Sequence, residues 1–246
     1  MILPSVLFCL ILLTFRQIVV IRARQGKVPD IPIDTSDGYE KPELNRPFKD
    51  ESVKNWALFV LCGMAPTVFF VWFGRKYGSK GDEYASLCSL FRSIGSTWFV
   101  TDVLKVRFAR PRPHIYQRLG FDIKTKKCKE SDPQQVWDAF MSFPSGHASL
   151  SFTTMLRVFF ALTQILPKGP LYGLACSPIV LALYIAWSRV RDDWHHPEDI
   201  IAGAVLGTVF ALLDDSIVVY LIIFLLLILV DQLIKSFLRM RSWGGG

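Results

Sequence analysis

Six apolar runs, at residues 2–20, 56–73, 84–103, 148–166, 171–187 and 200–220, set what this chain can become. Each approaches or reaches the roughly 17–25 residues that carry a helix across a bilayer. The expected fold class is therefore all-α, a polytopic membrane helix bundle with about six transmembrane helices. The run at 2–20 is the least regular, since Arg16 and Gln17 interrupt its end. No small-residue cleavage pattern follows Val20, so it reads as a retained helix rather than a removed signal. The apolar run that begins at Ile200 continues past Asp214 and Asp215 to Val230, longer than one span requires. Two carboxylates at mid-membrane would be costly, which puts them near an interface. Six spans and a tail follow, with a seventh span at 217–237 as the alternative. Three segments result: 1–55 (first helix and extramembrane loop), 56–221 (membrane core) and 222–246 (apolar and basic tail).

Three polar stretches stand where apolar runs begin or end. They are residues 105–113 (KVRFARPRP), 144–147 (PSGH) and 188–199 (SRVRDDWHHPED). Alternation of crossings alone puts all three on one side of the membrane. The long connection at 112–143 between the first two has mixed charge and reads as short irregular structure. The segment at 22–54, rich in proline and charge, reads as a loop outside the membrane that folds over the mouth of the bundle.

Net charge is +7. No aromatic-interleaved basic segment or DNA-binding motif accompanies it, so nucleic acid is not the expected partner. An anionic substrate or an anionic lipid surface accounts for the charge more simply. Cys9, Cys62, Cys88 and Cys176 fall in apolar runs and Cys128 stands alone in a polar loop, a pattern that makes neither a disulfide framework nor a zinc site.

The residue types in the polar stretches suit phosphate chemistry. Lys105 and Arg112 lie seven apart at a helix end, and Arg189 follows the fifth run. Arg offers a bidentate fork to phosphate oxygens and Lys a point charge. Membrane-flanking cations commonly just anchor helices in headgroups, and Arg107, Arg110 and Arg191 are left with that role. Ser145 is a good N-cap and Gly146 permits close backbone approach, at a helix start whose free N–H groups favour an anion. His147 beside them can protonate a departing alkoxide. His195 and Asp199, four apart at the start of the sixth helix, would share a face, with the carboxylate holding the ring of a nucleophilic imidazole. Pro197 suits the first turn of that helix. His196 is expected to point elsewhere. The chain has only four histidines, and all lie in or beside these stretches.

Together K-x6-RP (Lys105, Arg112, Pro113), PSGH (144–147) and SR-x5-H-x3-D (Ser188, Arg189, His195, Asp199) resemble the type 2 phosphatidic acid phosphatase superfamily, over residues 56–213. The six-helix layout is similar to its integral-membrane lipid phosphate phosphatase branch, whose phosphatase core is shared with soluble acid phosphatases and haloperoxidases. The resemblance implies a Mg2+-independent phosphatase of lipid monoesters. Phosphatidate, lysophosphatidate, sphingosine 1-phosphate and diacylglycerol pyrophosphate are the implied substrates. It implies a phosphohistidine on His195, with Asp199 orienting it and His147 as acid and base. Lys105, Arg112, Arg189, Ser145 and the Gly146 backbone hold the phosphate, without metal or other cofactor. It also implies a multi-pass protein of the plasma membrane or an endomembrane with its site extracellular or luminal. The count of basic residues points the other way, but cations committed to phosphate are poor reporters of sidedness. A homo-oligomer is left open. The alternatives are an isoprenoid or polyprenyl diphosphate phosphatase, a sugar-phosphate phosphatase, and a catalytically silent membrane scaffold. A silent protein has no chemical need for His147, His195 and Asp199.

Overall fold

The computed structural model describes residues 41–78, 82–122, 125, 127–130, 132–166 and 169–213, with 14, 17 and 225 singly. The expected span at 2–20 and the tail after 213, with its alternative seventh span, lie outside them apart from those single positions. A short 3-10 turn, Pro42–Leu44, precedes helices α1 (Asn55–Tyr77), α2 (Asp82–Phe108), α3 (Ile115–Leu119), α4 (Pro133–Ala139) and α5 (Gly146–Ile165). After a 3-10 stretch at Pro170–Cys176 come α6 (Ser177–Arg191) and α7 (Pro197–Leu212). No strand occurs among the described residues, in line with the all-α expectation.

The connection at 112–143 is more ordered than its sequence suggested. It holds α3 and α4, and packs Ile115, Tyr116, Leu119, Ala139 and Phe140 with Leu44 into a small core of its own. Its mixed charge hid an apolar minority spaced to meet one partner, the turn at 42–44. Asp132 starts α4 by accepting the Gln134 N–H at 3.0 Å, with Pro133 at the first helical position.

A π-helical turn at Val60–Met64 interrupts α1. Pro66 has no N–H to give the Cys62 carbonyl, and its ring crowds that turn. The Thr67 hydroxyl donates to the Gly63 carbonyl at 2.7 Å, compensating within the helix.

α5 is the central helix, packed by α7, α6, α2 and α1. Toward α2 the contact is polar. Thr97 meets Thr153 and Thr101 meets Ser149, each hydroxyl to hydroxyl at 2.9 Å, and Arg157 donates from Nε to the Ser93 hydroxyl at 2.9 Å. Toward α7 the contact is close backbone. A Cβ on Gly203 would meet the Ser145 carbonyl at 2.6 Å, and one on Gly207 would overlap the Ser149 carbonyl. Two glycines four apart thus let α7 lie against α5, as small residues do between membrane helices. This approach brings the start of α7, with Asp199, against the start of α5, where the Ser145 N–H donates to the Asp199 carbonyl at 2.9 Å. Gly207→Ala is expected to force the helices apart. The overpacking cost is about 1–3 kcal/mol, checked as a lowered melting temperature in detergent.

Three helices are long and apolar enough to cross a membrane among the described residues: Asn55–Tyr77, Gly146–Ile165 and Tyr172–Arg191. They correspond to the expected second, fourth and fifth spans. α2 has ample length at 27 residues, but the buried Ser93, Ser96, Thr97 and Thr101 dilute its hydropathy. Apolar side chains are turned outward in number, among them Trp56, Val68, Val180, Ile201 and Leu212. A surface of that kind suits hydrocarbon rather than water.

Candidate active site

The three polar stretches meet around one cavity of about 700 Å³. Lys105, Arg112, Gly146, His147, Arg189 and His195 all line it. Asp199 is fully buried behind His195, and Ser145 is fully buried as the N-cap of α5, its Oγ reached by the Ala148 N–H at 3.5 Å. The cavity's other wall is apolar, formed by Leu58, Phe59, Cys62, Phe91, Trp98 and Leu150 from α1, α2 and α5. The π turn of α1 is therefore part of the site.

Each cation is aimed by the backbone of another segment. Lys105, near the end of α2, donates from Nζ to the Met141 carbonyl at 2.8 Å. Arg112 donates from Nε to the Asp138 carbonyl at 2.8 Å. Arg189 is 1 % exposed and donates to the Val53 carbonyl at 3.2 Å, while its Nη2 meets Glu51 Oε1 at 3.2 Å. Its Nε is buried with no partner among the described residues. Trp194 sits among three guanidiniums, with Arg112 at 5.0 Å, Arg189 at 5.2 Å and Arg118 at 5.6 Å from its ring. The electron-rich ring face offsets part of the repulsion among them. Burial, and then the charge of Arg118, bring Arg112 down to about 10, with Asp138 and Glu51 opposing.

His195 and Asp199 come together, but not as a helical pair. α7 starts at Pro197, so His195 lies before it and His196 is the N-cap. Asp199 reaches back from the first turn and accepts the His196 N–H at 3.0 Å, which leaves its Oδ2 3.6 Å from His195 Nδ1. Proline at 197 fixes where the helix begins, and the contact follows from capping rather than from the 3.6-residue turn. The Ser142 hydroxyl donates to the same Oδ2 at 2.5 Å and lies 3.5 Å from the histidine nitrogen. Arg110 Nη1 donates to Asp199 Oδ1 at 2.6 Å. Arg110 is thus no headgroup anchor. Ala109, in the left-handed region at φ 42°, turns the chain so that Arg110 faces α7 while Arg112 faces the cavity.

Burial alone would push Asp199 up. The nearby His195 ring, the hydrogen bond from Ser142 and the charge of Arg110 outweigh it and hold the carboxyl well below its ordinary range. Burial foremost, and then Arg112, Lys105 and Arg189, hold His195 well below the ordinary imidazole value against the pull of Asp199. At neutral pH the pair is a carboxylate and a neutral imidazole. With Nδ1 facing the carboxylate, Nε2 is the nitrogen left to react. His147 differs in its tether: its Nε2 lies 3.1 Å from the Val53 carbonyl, which leaves Nδ1 unengaged by that contact. His196 points away, to the Pro111 carbonyl at 3.2 Å, as expected. His114, also buried, meets the Asp193 carbonyl through Nδ1 at 2.7 Å, and burial brings it down to about 4.

Five contributors escaped the sequence reading: Arg110, Arg118, Ser142, Trp194 and Glu51. Arg118 lines the cavity, with Nη1 buried and unpartnered among the described residues. Glu51 belongs to a strap at 45–54 that crosses the site and is fastened to the loop after α6. Ser52 gives its N–H and its hydroxyl to Asp192 at 2.7 and 2.8 Å, Lys49 pairs with Asp193 at 2.5 Å, and Trp194 Nε1 donates to the Lys49 carbonyl at 2.9 Å. The one signal in the sequence was the placing of segment 22–54 over the mouth of the bundle.

The PAP2 superfamily profile matches residues 86–223. Lipid phosphate phosphatase 1 of Arabidopsis thaliana is 32 % identical over 181 residues, covering 69 % of this chain and 55 % of that protein. Diacylglycerol pyrophosphate phosphatase 1 of Saccharomyces cerevisiae is 31 % identical over 180 residues, covering 65 % of this chain and 62 % of that protein. Phospholipid phosphatase 1 of Rattus norvegicus is 29 % identical over 152 residues, covering 52 % of each. The matched stretch thus spans between half and two thirds of these relatives' own length. No solved structure matches the chain.

Proposed function

The chain belongs to the PAP2 superfamily, and from that premise we propose that it is a membrane-embedded lipid phosphate phosphatase working through a phosphohistidine. The observation that carries this reading is the composition of the cavity. Four cations and two histidines stand at one end of it and an apolar wall at the other, so one molecule with an anionic head and a hydrocarbon body fits both. Relatives named for lipid phosphate and diacylglycerol pyrophosphate support the same class.

In the proposed reaction Arg112, Arg189, Lys105 and the Gly146 backbone hold the phosphoryl oxygens. His195 Nε2 attacks phosphorus, and Asp199 takes up the positive charge that forms on the ring. His147, its Nε2–H tethered to the Val53 carbonyl, takes onto Nδ1 the proton that enters with the phosphate monoester monoanion and delivers it to the departing oxygen. The same nitrogen then accepts a proton from the water that cleaves the P–N bond, returning His195 and free phosphate. Ser145 acts through the helix start it caps. The fixed cations neutralise the charge of the transferring group, a task divalent ions perform in other phosphoryl transferases. The reaction is therefore read as Mg2+-independent. The catalytic segment is taken as 56–221, with the site on the extracellular or luminal side.

An isoprenoid or polyprenyl diphosphate is the second reading, favoured by Arg118, a fourth cation in the same cavity with an unpartnered nitrogen among the described residues. The test is a panel of phosphatidate, lysophosphatidate, sphingosine 1-phosphate, diacylglycerol pyrophosphate and a polyprenyl diphosphate, offered to the purified protein in detergent. Release of phosphate from phosphatidate is expected to be unchanged by excess EDTA. No release from any member sinks the enzyme reading; preferential release from the polyprenyl diphosphate selects the second one.

A further inference from the structure

We propose that Glu51 is an internal counter-ion of the phosphate cradle, with which every phosphate-bearing ligand must compete to bind. This rests on the phosphatase reading and adds a residue outside all three motifs that sets how tightly the site holds anions.

Glu51 is held by position rather than by chance. Its neighbour Ser52 is fastened to Asp192 through both backbone and side chain, and Val53 gives its carbonyl to both Arg189 and His147. Between these anchors the Glu51 side chain, 15 % exposed, has little room to leave. Its carboxylate meets Arg189, whose remaining nitrogens are buried, and it lines the same cavity as Arg112 and Arg118. Its charge also acts on both of those guanidiniums.

A carboxylate and a phosphate compete for the same fork of N–H donors. Placed side by side they repel, most strongly where water is scarce. The penalty is paid by free phosphate and by phosphate esters alike. The apolar wall therefore supplies the affinity for a lipid, while the released phosphate, having no hydrocarbon, is left with a weakened site. Glu51 thus favours departure of the product without a moving part.

The experiment is calorimetric titration of inorganic phosphate into the full-length chain in detergent, comparing wild type with Glu51→Gln and Glu51→Ser, after thermal unfolding has shown each to be folded. Both variants are expected to bind phosphate about tenfold more tightly, and Glu51→Asp to stay nearer wild type. Equal affinity in wild type and Glu51→Gln overturns the counter-ion role and leaves the phosphatase reading standing. Weaker binding in the variants overturns it in favour of Glu51 as a builder of the cradle. Unfolding of both variants makes it a structural ion-pair partner and also overturns the proposal. If no form binds phosphate, the counter-ion role is overturned, and the phosphatase reading is decided separately by the release panel.

Discussion

His195→Ala is expected to lower phosphate release by a factor of roughly 10⁴ or more while the protein stays folded. The two halves of that expectation have separate causes. Removing the ring removes the only imidazole nitrogen among the described residues that faces the cavity with a carboxylate behind it, so no covalent intermediate is expected to form. The fold survives because Asp199 keeps its other partners, the Ser142 hydroxyl, the Arg110 guanidinium and the His196 N–H. A buried carboxylate left without partners would be strongly destabilising; one that keeps three is not. The checks are a phosphate-release assay, detection of acid-labile phosphate on the protein, and a melting curve. Labelled phosphate still appearing on the chain of the variant would place the nucleophile elsewhere.

The helices and the polar stretches were legible because a membrane protein writes them in contrast. A cation or histidine at the end of an apolar run is conspicuous, and alternation of spans is enough to place Lys105, His147 and His195 together. What the sequence hid was direction. In the run RPRP, Arg110 and Arg112 are equivalent as letters, and only the left-handed turn at Ala109 sends one to Asp199 and the other to the cavity. The His195–Asp199 contact was anticipated for the wrong reason. The spacing of four suggested a helical face, whereas Pro197 starts the helix two residues later and Asp199 reaches the ring as a capping side chain. Ser142, Trp194 and Glu51 belong to segments that meet only in three dimensions. No periodicity in a loop records that a hydroxyl at 142 will lie 2.5 Å from a carboxylate at 199.

Asp199→Asn is expected to lower turnover by roughly 10²–10⁴, with the loss in the rate of phosphorylation rather than in lipid binding. Each oxygen of Asp199 is committed to donors. Oδ1 accepts from Arg110, and Oδ2 accepts from Ser142 and His196 while facing His195 Nδ1. An amide has one oxygen to offer. With its nitrogen in the Oδ2 position it confronts the His196 N–H and turns His195 toward the tautomer that carries its proton on Nε2, where the lone pair is needed. With its nitrogen in the Oδ1 position it confronts Arg110 instead, and the ring keeps its tautomer but loses the negative charge that stabilises the imidazolium. Either way a buried donor goes unmet, costing about 1–3 kcal/mol of stability as well. Asp199 is ionised when folded and held well below its unfolded value. Its contribution to stability is therefore complete above the ordinary aspartate range and is lost as pH falls toward the folded value. The acid-side fall in melting temperature should shrink in Asp199→Asn, while the pre-steady-state rate of phosphohistidine formation drops and KM changes little. A variant with wild-type phosphorylation rate and only a lowered melting temperature would make Asp199 a structural carboxylate and remove it from the mechanism.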